Sequence, residues 1–127
     1  MQIKTPHIPL NIALEDALEI LKGVSETILK EVEEDATFYK VSVSDYECGF
    51  YEKGNVVIAT WYNDPEGRDS QDELNLKVSL YLNRYGELDD WEDGINNGWI
   101  QFFNNKKTGV GLSYGLHKDV LRFNYFG

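Results

Sequence analysis

Cysteine is nearly missing from this chain. Cys48 is the only one, so no disulfide can form within a single copy. There are two histidines, His7 and His117, and no Cys/His cluster, which excludes a structural zinc site of the usual kind. No apolar run reaches the roughly 18 residues of a membrane-crossing helix. The opening MQIKTPHIPLNIALEDALEIL lacks the basic, apolar and small-residue order of a secretion signal. Together these absences lead to the expectation of a cytoplasmic protein in a reducing compartment, with no membrane partner. Basic residues are also scarce: 12 Lys and Arg stand against 22 Asp and Glu, leaving −10 at pH 7. Such a chain repels phosphate backbones, which argues against a nucleic-acid partner. The same field would speed the approach of a basic protein.

A length of 127 residues suits one domain spanning 1–127, large enough to bury a core without a staple. Pro6 and Pro9 mark an extended lead-in, with Asn11 as the expected N-cap of a helix over about 11–35. Leu14, Leu18, Leu21, Ile28 and Val32 form its apolar stripe, and Gly23 is a place where it can bend or split. Beyond Asp35 the period becomes two. Tyr39, Val41 and Val43 alternate with polar residues, and the phase flips near Ser44-Asp45, predicting a bulge or tight turn. Lys53-Gly54-Asn55 reads as a hairpin turn into a central strand, VVIATWY, over 56–62. Leu74, Leu76, Val78, Leu80 and Leu82 alternate strictly with polar residues, which predicts a strand over 74–83. Further strands are expected at 99–103, 110–115 and 120–126. The fold class that results is α+β, with one N-terminal helix on an antiparallel meander of about six strands covering 37–126.

Catalytic patterns are weak. Gly111-Leu112-Ser113-Tyr114-Gly115 matches G-x-S-x-G, but that chemistry needs a strand-to-helix turn, and a further strand follows here. His117 and Asp119 lack an evident nucleophile and suit an ordinary turn. Cys48 has no basic neighbour in sequence and reads as a small buried hydrophobe. Gly109-Val110-Gly111 misses the dinucleotide fingerprint. No catalytic residue, metal site or cofactor is assigned.

The remaining signal is acidic. The segments 63–73 (NDPEGRDSQDE) and 86–98 (GELDDWEDGINNG) read as long polar loops. They hold Asp64, Glu66, Asp69, Asp72 and Glu73 in the first, and Glu87, Asp89, Asp90, Glu92 and Asp93 in the second. Their spacing does not fit a calcium-binding EF-hand. Trp91 within the second run, and Trp61 at the mouth of the first, resemble aromatic anchors in a negative patch. With its size, its acidity, one helix plus an antiparallel sheet and the run ELDDWED, the chain resembles the small immunity proteins of bacterial polymorphic-toxin and contact-dependent inhibition systems. That resemblance implies a non-enzymatic protein that captures a basic toxin domain, a nuclease for instance, through its acidic loops. The alternative is a small-molecule or metal-binding domain, or a small hydrolase, using the same carboxylates.

Overall fold

The amphipathic stripe at the N-terminus does form a helix, but a shorter one than its periodicity suggested. The computed structural model describes residues 3–64, 71–96, 100–117 and 120–126. Helix α1 runs Leu14–Lys22 and buries Ala17 and Leu21. Its N-cap is Ala13, whereas Asn11, the expected cap, sits at φ 66 in the preceding turn. At Gly23 the helix stops: the Val24 and Ser25 amides both fold back on the Leu21 carbonyl at 3.0 Å, and the Ser25 hydroxyl then accepts from the Thr27 amide. Past Thr27 and Ile28 the chain enters a strand, β1 (Leu29–Val32). Ile28 and Val32 therefore do not belong to a helical stripe, and Val32 is 77% exposed.

Strands β2 (Thr37–Ser42), β3 (Glu47–Lys53) and β4 (Val56–Asp64) follow as hairpins. The phase flip at 44–45 is the β2–β3 turn, closed by the Val43 amide on the Tyr46 carbonyl at 3.0 Å. Gly54 and Asn55 both adopt positive φ, 62° and 66°, as the two-residue turn between β3 and β4 requires.

The largest correction concerns residues 74–83, which are helical: α2 spans Gln71–Asn83. Leu74, Val78, Tyr81 and Leu82 turn inward at helical spacing, while Leu76 is 47% exposed. Lys77 and Tyr81, expected on a watery strand face, are both buried. Among the described residues there are thus two α-helices rather than one. The 86–98 segment is not a loop throughout: a short 3-10 turn at Leu88–Asp90 leads into β5 (Trp91–Asn96). Strands β6 (Ile100–Asn105), β7 (Gly111–His117) and β8 (Val120–Phe126) complete the sheet.

All described ladders are antiparallel, in the order β1-β2-β3-β4-β8-β7-β6-β5. Eight strands take the place of about six, and two four-strand meanders meet at β4–β8 instead of forming one. From the centre of the sheet the chain leaves β4, passes through α2, enters at the far edge as β5, and walks back to pair β8 with β4.

Both helices cover the same sheet face. Ala17, Leu21, Val78, Tyr81 and Leu82 share one core with Tyr39, Val41, Phe50, Tyr62, Leu112, Phe123 and Tyr125. The lead-in is pinned across this core by side chains far along the sequence. The Tyr62 hydroxyl accepts from the Ile8 amide at 2.9 Å, and the Tyr85 hydroxyl donates to the Ile8 carbonyl. Arg84 donates to the Thr5 hydroxyl and the Pro6 carbonyl, each at 3.1 Å, and also to the Thr5 carbonyl. Its guanidinium lies 5.0 Å from the ring centres of both Tyr62 and Tyr81. No helix among the described residues is long and apolar enough to cross a membrane.

Candidate partner-binding edge

The carboxylates singled out in the sequence divide by location. Asp64, at the end of β4, is 4% exposed. It accepts from the Lys77 ammonium at 3.1 Å and from the Tyr81 hydroxyl at 3.0 Å, fastening α2 to the sheet. A charge so placed serves the fold and is not presented to a partner. Glu66 and Asp69 lie outside the described residues. Asp72 and Glu73 occupy the first turn of α2, where the helix dipole favours acids. The 3-10 turn lies past the other end of that helix, so roughly 17 Å of helix axis separates Asp72 from Asn83 and the acids beyond it.

The second group is contiguous in sequence along the 3-10 turn and β5, with Glu92 and Asp93 on opposite faces of the strand. Glu87, Asp89, Glu92 and Asp93 are exposed and Asp90 is half-buried. None of the five forms an ion pair among the described residues. Backbone bonds hold their positions: the Asp90 amide donates to the Glu87 carbonyl at 3.0 Å, and the Lys106 amide donates to the Asp90 carbonyl at 2.9 Å. Trp91 fixes the segment to the body, because its indole N–H donates to the Leu82 carbonyl at 3.0 Å and its ring packs against the core. Across from it on β6, Asn105 is buried, and its side-chain oxygen accepts from the Lys107 and Thr108 amides at 3.0 and 2.9 Å. Gly86 makes this packing possible. It sits at φ 156, and an added Cβ would lie 2.3 Å from Asn105 Nδ2. Asp93 also acts on Tyr114, whose phenol is held above its usual value first by burial and then by that carboxylate.

Strand β5 is the last strand of the sheet, so its outer side has no strand neighbour among the described residues. The arrangement is a sheet edge carrying five carboxylates without ion pairs among the described residues, anchored by a tryptophan whose nitrogen is already committed to the fold.

Trp61 sits elsewhere. It is buried on the sheet face opposite the helices, stacked on Phe38 with ring centres 5.6 Å apart, and the Arg122 guanidinium lies 5.0 Å from its ring centre. Ser113 lies in the middle of β7, so the G-x-S-x-G pattern falls on a strand and not on the sharp turn that nucleophile chemistry needs. The His117 side chain and Asp119 lie outside what is described. Cys48 is fully buried, as its sequence setting suggested, and burial pushes its thiol up to about 12. Among the described residues no group of three or more His, Cys, Asp or Glu side chains could hold a metal ion. Sequence reading missed the Asp64–Lys77–Tyr81 cluster and Arg84. The only signal for the cluster was helical spacing hidden beneath the alternating leucines.

No protein family, curated protein or solved structure matches the chain.

Proposed function

We propose that this chain is a non-enzymatic binding protein of the immunity type, which captures a basic protein partner through the edge formed by the 3-10 turn and β5. The observation that supports this reading most is the set of five carboxylates, from Glu87 to Asp93, without ion-pair partners among the described residues, on a segment that Trp91 ties to Leu82. A surface of this kind steers a cationic macromolecule and rejects acidic ones. Rigid placement lowers the entropy that docking would otherwise cost. Trp91 contributes by positioning the acids. Leu88, exposed beside them, offers apolar contact within the charged rim.

The test is co-purification with the products of the adjacent reading frames, followed by binding measurements on the quadruple variant Asp89→Lys, Asp90→Lys, Glu92→Lys, Asp93→Lys. A basic toxin domain that binds the wild type and loses at least a hundredfold in affinity for the variant supports the reading. Equal affinity removes this edge from function.

A further inference from the structure

Antiparallel sheets that leave one face to water ordinarily make that face polar. Here the face opposite the helices is not polar. In register across the six strands from β2 to β6 it presents three outward rows of residues. Phe38, Tyr51, Trp61, Ile100, Phe102 and Phe126 stand on it, and no described helix covers it. Phe126 lies over Gly111, where a Cβ would meet its ring at 2.3 Å, and Trp61 lies over Gly49 in the same way. These contacts flatten the aromatic surface. Phe126 is nevertheless 43% exposed and Ile100 40%.

The charge on this face is unlike that of the molecule. Within those three rows only Lys40, Glu47 and Arg122 are charged, a balance of +1 on a chain of −10, with Glu31 on β1 and Glu92 on β5 flanking them on the same face. Lys40 and Glu47 pair with each other at 3.6 Å. The rest of the chain carries the remaining −11, so charge opposes self-contact less across these rows than over the surface as a whole. Trp61 Nε1 and Asn63 Oδ1, both on this face, have no hydrogen-bond partner among the described residues.

We infer that the uncovered sheet face docks a second copy of this chain, face to face, giving a layered dimer with helices outside and two sheets within. Six strands at about 4.8 Å and three outward rows at about 6.8 Å give roughly 550–600 Å² per copy, or about 1,100–1,200 Å² per pair. That area reaches the lower limit for a specific interface, the size range of weak and transient contacts. Of the β5 acids only Glu92 lies on this face, beside the six-strand contact and not within it, and the inference does not depend on the proposed capture of a basic partner.

Sedimentation velocity on the full chain, from about 5 to about 500 µM, tests it. The mass should rise from 14.6 kDa toward twice that value. Phe126→Glu and Ile100→Glu, both at exposed positions, should each raise the dissociation constant at least tenfold with unchanged circular dichroism. Leu76→Glu, on the exposed side of α2, should leave it unaltered. A monomer at every concentration overturns the inference, as does a dimer indifferent to Phe126 and Ile100. A monomer that loses capture of a foreign protein when Phe126 is changed assigns the face to that protein, and equally overturns self-docking.

Discussion

Lys77 is 2% exposed and its ammonium lies 3.1 Å from Asp64, itself 4% exposed and also bonded to the Tyr81 hydroxyl. Removing one charge takes a close ion-pair partner from the other inside the protein, which costs about 3–5 kcal/mol. Total stability for a domain is roughly 5–15 kcal/mol, so the loss is a large share of it. At this chain length each kcal/mol moves the melting midpoint by roughly 3–4 °C, so Lys77→Met or Asp64→Asn should lower it by about 10–20 °C. The double variant should lose less than the sum of the singles, with a coupling of about 1–3 kcal/mol, because neither charge is then left alone. Urea titration and thermal melting followed by circular dichroism provide the measurement. The substitutions also separate two readings of residues 74–83. On a strand Lys77 would alternate to the watery face, and its loss would cost under about 0.5 kcal/mol. Singles near zero, or a strictly additive double, would refute the burial of this pair and the helical placement that causes it.

Four further outcomes follow from the packing. Gly86→Ala should cost about 2–3 kcal/mol in chemical denaturation, because its Cβ collides with Asn105 Nδ2 and φ 156 strains a side-chain-bearing residue. Trp91→Phe should cost about 1 kcal/mol through the unpaired Leu82 carbonyl, and should speed amide exchange across the segment from Leu88 to Trp91. Burial, and then the Arg84 charge, hold His7 below its usual value near 6.5. The unfolded chain therefore binds the proton more readily, so this contribution to stability is full above pH 6.5 and fades as the pH falls. His7→Gln should accordingly flatten part of the decline in stability between pH 7 and pH 5. Cys48, with its thiol pushed up to about 12, should react with Ellman's reagent at pH 8 only after denaturant is added.

How much of this was legible in the sequence depended on whether a signal had one geometric solution or two. Gly54-Asn55 has one: two consecutive positive-φ residues between apolar runs make a tight hairpin. The run at 56–62 was equally direct, because residues apolar on both faces belong inside a sheet. Residues 74–83 had two solutions. Leucine or valine at every second position satisfies a strand, and Leu74, Val78, Tyr81 and Leu82 satisfy a helix just as well. What decided between them was the tertiary opportunity for Lys77 to reach Asp64, thirteen residues away across a crossover that no local pattern reveals. Helix α1 was overextended because Ile28 and Val32 kept the apolar rhythm after the backbone had turned at Gly23. Strand β5 was hidden by its polarity: an edge strand needs only one ladder, and Glu92 and Asp93 are the charges that protect such an edge. The acidic segment around Trp91 was visible in the sequence. That its tryptophan is tied to the Leu82 carbonyl was not.

Ionic-strength dependence of association kinetics bears most directly on the proposed capture of a basic partner at the β5 edge. With the partner identified by co-purification, the association rate should fall steeply from about 20 to about 300 mM salt while dissociation changes little. The variant with lysine at 89, 90, 92 and 93 should lose both the fast association and its salt dependence. Wild-type and variant rates that coincide at every salt concentration would contradict it.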